Sequence, residues 1–556
     1  MYFRSLDDGG LKLGAFQKRS KPWQIGDQVP GDFAFDLLDP DWPYFEKPFV
    51  DHVHRLRGIT RDDVVKFVNG PEAFTPDNHF IMGQPFLTEG LFVLGGWNSA
   101  GIACSPGAAK YAVEWIDNGG MTLDLSSVDI RRFMPFQNGR KYLQQRVSEV
   151  LGIHYQMAWP GRQMETSRDV RWPPLYEQHK SLNACFGETA GWERPLFYAP
   201  EDQPAEIKYS FLRQNWQDYT NEEVKACRQE LALLDQSTFA KYRLHGADAL
   251  ITLQQLCGAN IDVPIGKAIY TGMFNQRGTF ETDLTVIREA DNLFYIVTAT
   301  GQQRKDFDWI SRHLPQQGDV QLVDGTEDIA VLSVMGPRAR TKLAPLCTVD
   351  LSDEAFQFGT SQTTKIAGVT VRAIRISYVG ELGWELHVAA KDAIVLWNRL
   401  QPIRPIGNNA ISAMRIEKGY RAMGHELSPD ETPLEAGLGF AIDWDKKFIG
   451  KDALVKQRNT GVSKRLVNFV LDNRDVVLWG GEPIQWNGIE VGYTTSAGYS
   501  PTLGRSVAMG FVRPPAPLKS GGWPDGEFSI VNLGQSYRAS PTLKSPYDPE
   551  RKKILR

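Results

Sequence analysis

The sequence predicts an α+β protein that closes in a small β-barrel, and three observations carry that reading. From Pro174 onward, strand-like and helix-like stretches alternate without the strict rhythm of a parallel, doubly wound sheet. Past Lys464 the pattern becomes all-β, with VNFVLD, VVLW, PIQW, IEVGYTTSAG and SVAMGFV separated by turn signals. At 556 residues the chain exceeds what one hydrophobic core accommodates, so several domains are expected.

Taken in order, MYFRSLDDGGLKLGAFQ reads as two short strands around an Asp-Asp-Gly-Gly turn. A Pro- and aromatic-rich stretch, Gly31 to Phe49, precedes a helix-like run, Ile59 to Phe67, and then a turn-rich segment broken at Gly70-Pro71 and Pro76-Asp77-Asn78. LFVLGGWNSAGI reads as a buried strand, a glycine turn and a helix start, with an amphipathic helix through Ile116 that ends at Asn118-Gly119. Such a turn offers backbone N–H groups to a phosphate at a helix N-terminus, so Gly95, Gly96, Asn98, Ser99, Gly101 and Ile102 are candidate nucleotide contacts. GGWNSAG is not GxGxxG, and tight packing is the alternative use of these glycines. Residues 121–172 read as a connector with a helix around Gly139 to Leu151 and a Trp/Pro-rich exit.

The bulk composition excludes several function classes. A formal net charge of -4 with Lys and Arg spread along the chain gives no footprint for nucleic acid or an anionic membrane. Gly90 to Ala109 is too rich in Gly and too interrupted by Asn98, Ser99 and Ser105 to span a bilayer. Cys104, Cys185, Cys227, Cys257 and Cys347 are widely spaced, which argues against a CxxC metal site and a disulfide framework and for a reducing compartment. Nine scattered His without HExxH give no metal site. MYFRSLDDGG shows no targeting pattern, so the expected location is the cytoplasm, or the mitochondrial matrix if the chain is eukaryotic and N-terminally truncated.

Three constellations carry chemistry. In YTGMFNQRGTFETDL, a turn near Asn275 to Gly278 would face Tyr270 and Asp283 across a hairpin, with Asp283 among Leu284, Val286 and Ile287. A carboxylate there either holds a cation or is satisfied by local hydrogen bonds. In RISYVGELGWELH, Glu381 and Glu385 lie among aromatics and glycines, which suits a planar heterocycle with an amidine-like N–H edge, or else an exposed pair on a strand. In MRIEKGYRAMGHEL, Arg415 and Glu417 are two apart and cannot face each other on a helix, so each needs its own partner.

In this order the motifs resemble the glycine-cleavage T-protein (aminomethyltransferase) and the folate domains of dimethylglycine and sarcosine dehydrogenases. The resemblance runs from LYEQHKSLNACFGETAGWERP through VLSVMGPRA, RISYVGELGWELH, MRIEKGYRAMGHEL and TPLEAGLGFAIDW to VGYTTSAGYSPTLGRSVAMGFV. Upstream, NGPEAFTPD, GGWNSAGI, AVEWIDNGG and DIRRFMPFQ are similar to the end of the same dehydrogenases' flavin domain and the connector behind it. The resemblance implies four domains: a flavin-domain remnant at 1–120, a connector at 121–172, a folate-binding domain at 173–460 and a β-barrel at 461–556. The chain starts downstream of the family's GxGxxG and flavin-attachment His, and His52 and His54 stand in a different context.

By that resemblance, Asp283 is the catalytic carboxylate beside tetrahydrofolate, stabilising an iminium-like cation and managing the proton. Tyr270 and Tyr378 line the pterin site, Glu385 takes the pterin N–H edge, and Arg415 lies near the folate. Gly95, Gly96, Asn98, Ser99, Gly101 and Ile102 become a residual flavin contact. Thr279 stands where the family has a second Gly, and a β-branched residue disfavours positive φ, so a different local backbone is expected. The implied activity is oxidative N-demethylation of a small methylated amine with capture of the carbon as 5,10-methylene-tetrahydrofolate. The cofactors are tetrahydrofolate, and FAD where the missing flavin-binding half is supplied by a separate subunit; a homo-oligomer is the other assembly. The alternatives are a flavin-independent demethylase giving 5-methyl-tetrahydrofolate, a non-catalytic folate-binding subunit, and a longer protein whose start lies upstream.

Overall fold

The computed structural model of the chain describes residues 2–23, 28–513 and 526–556, which form two compact units. One runs to Ala158 and includes Arg162–Arg168; the other comprises Trp159–Gly161 and Asp169–Arg556.

The first unit opens on the expected hairpin, β1 (Tyr2–Ser5) against β2 (Leu11–Gly14), with the Asp8 carboxylate accepting from the Gly10 N–H at 2.9 Å in the turn. The Pro- and aromatic-rich stretch, given no element in the sequence, runs into helix α1 (Trp42–Val53), started by Asp41, whose carboxylate accepts from the Tyr44 N–H at 3.1 Å. The helix expected over Ile59 to Phe67 is instead a single 3₁₀ turn at Arg61–Asp63. Thr60 and Asp63 close on each other there, and Val65 is fully exposed, so no apolar face exists to stabilise further turns.

Strand β3 (Ile81–Gly83) pairs with β4 (Val93–Gly95). The second was expected to be buried, yet Leu94 is exposed and its neighbours are half-buried, because a two-stranded ribbon covers only one face. Helix α2 (Gly101–Asn118) ends as the sequence predicts, with Gly119 at φ +66 donating to the Ile116 carbonyl. Its Ala112 and Trp115 pack on Met82, Met121, Leu125 and Val128. Helix α3 (Arg140–Ile153) occupies the expected place in the connector.

The second unit begins with α4 (Tyr176–Ser181), the hairpin β5 (Ala184–Thr189) and β6 (Trp192–Tyr198), and α5 (Gln217–Gln229). Then follow β7 (Ala232–Asp235), β8 (Ala240–His245), α6 (Ala249–Leu256), β9 (Ala268–Phe274), β10 (Phe280–Ala290), β11 (Leu293–Thr298), α7 (Gln303–Arg312) and β12 (Gln321–Asp324). Beyond them lie β13 (Ile329–Met335), α8 (Ala339–Leu343), β14 (Ser361–Ile366), β15 (Val369–Ile374), β16 (Gly383–Ala389), α9 (Ala393–Leu400), β17 (Pro405–Ile406), α10 (Asn408–Glu417) and α11 (Lys451–Thr460). They build a five-stranded sheet, β12-β8-β11-β10-β9, and a six-stranded sheet, β14-β15-β16-β13-β7-β17. All pairings are antiparallel except β7 with β17.

Alternation along the strands sorts side chains between two environments. Met273, Leu284, Val286, Phe294 and Ile296 form one core with Leu253 of α6 and Ile310 of α7, while Leu332, Val334, Trp384 and Leu386 form another with Leu396 and Trp397 of α9. The opposite faces turn toward each other: Ile287, Tyr295 and Val297 of the first sheet pack on Ile374 of the second.

The terminal barrel is closed in the order β18 (Arg465–Leu471), β21 (Arg505–Val512), β20 (Ile489–Ser500), β19 (Pro483–Trp486), β22 (Phe528–Asn532), β23 (Gln535–Thr542). VVLW, expected as a strand, is irregular: Leu478 fills the barrel core, while the Trp479 backbone N–H is taken by the Glu482 carboxylate instead of a ladder partner. β22 and β23 complete the barrel in its place. No helix among the described residues is long and apolar enough to cross a membrane.

Candidate functional site

Tyr270 and Asp283 meet on the face of the five-stranded sheet that looks toward the six-stranded one. The Tyr270 hydroxyl donates to the Asp283 carboxylate at 3.0 Å. They are diagonal neighbours: Asp283 sits opposite Gly272, and Tyr270 opposite Thr285. The hairpin closes with Phe280 opposite Phe274, and a bulge before Thr282 shifts the register by one residue. Extended without that bulge, the closing register would pair Tyr270 with Leu284 and put Tyr270 and Asp283 on opposite faces.

The turn itself is regular. Positive φ falls on Gly278 (+75), not on Thr279, whose hydroxyl donates to the Asn275 side-chain oxygen at 2.9 Å. The expected disturbance from a β-branched residue does not arise, because the left-handed position is one residue earlier.

Both groups are surrounded by protein yet keep accessible surface, as does Tyr378, which is how residues lining a recess differ from residues in a core. Burial pushes the Asp283 carboxyl up to about 6, opposed by the hydrogen bond from Tyr270. Burial, and then the Asp283 charge, push the Tyr270 hydroxyl well above its ordinary value. Tyr378 stacks on Tyr420, with ring centroids 5.9 Å apart, and donates to the Arg421 carbonyl at 3.1 Å.

Glu385 lies on the facing sheet, on the same side of β16 as His387, and the opposite side from Trp384 and Leu386. Its carboxylate accepts from His387 Nε2 at 3.3 Å, which leaves His387 Nδ1 to accept from the Tyr295 hydroxyl of the opposite sheet at 2.9 Å. Burial lowers the His387 pKa, so this imidazole is neutral. Glu381, grouped with Glu385 in the sequence reading, is elsewhere: it accepts from Arg228 at 3.0 Å and from the Tyr547 hydroxyl. A single carboxylate of that pair therefore faces the space between the sheets.

Arg415 is buried and fully engaged. It donates to Glu426 at 2.8 Å, to Ser496 at 2.7 Å and to the Tyr420 carbonyl at 3.2 Å. It supports the tyrosine pair through Tyr420 and is not presented as a free cation. Glu417 finds separate partners in Arg228, Ser500 and Thr502, as its helical spacing from Arg415 requires. His387, Tyr295, Tyr420 and Arg421 were missed in the sequence; the GELGWELH and KGYRA motifs contained three of them, but nothing in those strings tells which polar side chains converge.

The donor set fits a reduced pterin: one carboxyl without a cationic partner among the described residues, one carboxylate on the facing sheet, and a stacked pair of phenol rings. The six residues of the glycine turn do not by themselves fit a dinucleotide. The Asn98 side chain is engaged by Thr75 and Gly96, and Ile102 is 97% exposed, leaving little but the start of α2, where Ala100 supplies no side-chain cap.

Comparison with known proteins places four family models in sequence along the chain. They are FAD dependent oxidoreductase (1–115), FAD dependent oxidoreductase central domain (118–172), GCVT N-terminal domain (175–446) and glycine cleavage T-protein C-terminal barrel domain (464–548). A 4-methylaminobutanoate oxidase (formaldehyde-forming) from Paenarthrobacter nicotinovorans is 36% identical over 100% of this chain and 67% of its own length. Mitochondrial sarcosine dehydrogenase from Mus musculus is 32% identical over 100% of this chain and 65% of its own. The chain thus spans about two thirds of the length of these curated relatives. Among solved structures, the aminomethyltransferase T of the glycine cleavage system from Bartonella henselae aligns with a TM-score of 0.58, at 23% identity, over 69% of this chain and 99% of that one, a likeness of fold.

Proposed function

Because this chain belongs to the dimethylglycine/sarcosine dehydrogenase family, in which an FAD dependent oxidoreductase is joined to a glycine-cleavage T-protein module, we propose that it captures the carbon released in oxidative N-demethylation of a small methylated amine. The carbon, at the oxidation level of formaldehyde, joins tetrahydrofolate with loss of water to give 5,10-methylene-tetrahydrofolate. The observation that carries this reading is the half-buried Tyr270–Asp283 pair on the inner face of one sheet, with Glu385 buried on the inner face of the other.

Tetrahydrofolate supplies the two nitrogens that accept the carbon. Asp283, ionised above a pH of about 6, accepts a proton and stabilises positive charge developing beside it. Tyr270 fixes the direction of that carboxylate. Glu385, held by His387, accepts the N–H edge of the pterin, and Tyr378 packed on Tyr420 offers a flat wall. Arg415 acts through the Tyr420 loop. Confining the carbon between the sheets favours capture over loss to water.

The same premise supports assigning 1–120 to a flavin-domain segment, 121–172 to a connector, 173–460 to the folate domain and 461–556 to the barrel. FAD would be held with the remainder of a flavin-binding domain, in the same or another polypeptide, and Gly95, Gly96, Asn98, Ser99, Gly101 and Ile102 would contribute one edge of its site. The expected compartment is the cytoplasm or the mitochondrial matrix.

The test is a calorimetric titration of the full chain with reduced tetrahydrofolate, without flavin. Saturable binding is expected, weakened about tenfold or more in Glu385→Ala through loss of a charge-assisted hydrogen-bond pair. A folded protein that binds no tetrahydrofolate would overturn the proposal. Binding without enzyme-dependent formation of 5,10-methylene-tetrahydrofolate would leave a non-catalytic folate subunit.

A further inference from the structure

Helix α7 touches the catalytic strand at its unpaired bulge residue, Glu281, and at the next residue, Thr282. Lys305 Nζ donates to the Glu281 carbonyl at 3.2 Å and lies 3.5 Å from the Glu281 carboxylate, whose other oxygen accepts from Asn275 at 3.1 Å. One residue on, Asp306 accepts from the Thr282 hydroxyl at 2.7 Å and from the Thr298 hydroxyl of β11. Glu281, Thr282, Lys305 and Asp306 are all buried. Consecutive residues of one helix thus hold consecutive residues of the strand, immediately before Asp283.

A bulge leaves one residue unpaired and locally disrupts the ladder, and a buried ion pair is weak evidence for stability. The Asp306 group has the character of a geometric device. Its second oxygen, Oδ1, is buried without a hydrogen-bond partner among the described residues, and burial pushes its carboxyl up to about 7, with the Asp283 charge adding to the rise. A helix that needed only to pack on the sheet would place an apolar residue there.

We propose that α7 is a positioning element for Asp283: Lys305 on Glu281 and Asp306 on Thr282 hold the β10 bulge in the register that puts Asp283 on the same face as Tyr270. This rests on the reading of Asp283 as the catalytic carboxylate. Neither Lys305 nor Asp306 faces the inter-sheet space, so both act through β10.

The experiment compares Thr282→Val, which removes the hydroxyl and keeps the shape, with Thr282→Ser, which keeps the hydroxyl, and adds Lys305→Met. Each full-length variant is assayed for enzyme-dependent formation of 5,10-methylene-tetrahydrofolate and for hydrogen exchange of the Thr279–Asp283 amides. Thr282→Val and Lys305→Met are expected to lower kcat at least tenfold with the KM for tetrahydrofolate within twofold, and to speed exchange at 281–283 at least tenfold. Thr282→Ser should stay within about threefold of the parent in both. Lost turnover with unchanged exchange, or faster exchange with unchanged kcat, overturns the proposal. If the parent chain has no turnover, the functional reading fails by itself. The positioning claim is then decided by the crystal structure of Lys305→Met, in which the Tyr270–Asp283 hydrogen bond is either lost, as expected, or intact, which overturns it.

Discussion

At the scale of single residues, Asp283 sets a pH dependence whose sign follows from its environment. Its carboxyl is raised from 3.8 to about 6, chiefly by burial. A carboxyl raised on folding favours the folded state below its unfolded pKa, and that contribution disappears as pH rises through the folded value. Asp283→Asn, which can still accept from Tyr270, should therefore be more stable than the parent at pH 7.5, by about 1–3 kcal/mol. Near pH 4 the advantage should vanish. Thermal melts at the two pH values check this; equal stability at pH 7.5 would mean that the fold does not disfavour the charge. Carbon capture by the parent should fall as pH drops through about 6. The sequence made Asp283 legible as a carboxylate facing Tyr270 across a hairpin, but not as its diagonal neighbour, a register that depends on a bulge with no signature in TFETDL. It also made Thr279 look troublesome, because the position needing positive φ was placed one residue too late.

At the scale of elements, what the sequence shows depends on whether the signal is local. Helix α2 stops at Asn118-Gly119 because a glycine there relieves the left-handed cap, and that is visible in the string. The helix at Asp41-Trp42-Pro43 carried an equally local start signal, hidden by aromatic residues around it. VVLW has strand composition, but the Trp479 backbone N–H is claimed by the Glu482 carboxylate.

The start of α10 has no local signal at all. Gly407 supplies no side-chain cap, and its N–H is taken at 2.9 Å by Glu223 of α5, whose other oxygen accepts from Tyr198 N–H at 2.8 Å. This buried carboxylate ties α5, β6 and α10 together, and burial lifts its pKa to about 7 against the pull of those two hydrogen bonds. Glu223→Ala leaves two donors without their acceptor and should destabilise the chain by about 2–5 kcal/mol. Glu223→Gln, which keeps one acceptor oxygen, should lose less than half of that. Denaturant unfolding of the three proteins decides it; equal loss in both variants would show that shape, and not hydrogen bonding, matters there.

At the scale of the whole molecule, order of motifs proved more informative than any one motif. Each constellation admitted a bland use, and only their succession along the chain pointed to a family, because a fold with two facing sheets needs its hairpins, loops and barrel in a fixed order. The first unit poses a different question. Helix α2 is apolar on two sides: Ala108, Ala112 and Trp115 are buried, while Ile102, Val113 and Ile116, about three turns and one turn apart along the same side, are exposed. Phe35, Val65, Val68 and Leu94 of the same unit are exposed as well.

A helix with two apolar faces is suited to burial on both, and an apolar patch of this kind marks a site of association. The occupant that the family match favours is the rest of a flavin-binding domain, in the same or another polypeptide, since this unit is the part that matches the FAD dependent oxidoreductase model. Free of it, the chain should take up a hydrophobic dye and show concentration-dependent self-association by sedimentation velocity. A chain with Ile102→Lys and Ile116→Glu, both at exposed positions, should lose most of the dye uptake and sediment as a monomer with its melting temperature within about 2 °C of the parent. Tetrahydrofolate binding should be untouched, because the altered residues belong to the other unit. A parent chain that is monomeric at all concentrations, takes up no dye and resists proteolysis throughout the first unit would show that this face needs no cover, and the idea that flavin-binding structure packs on it would lose its support.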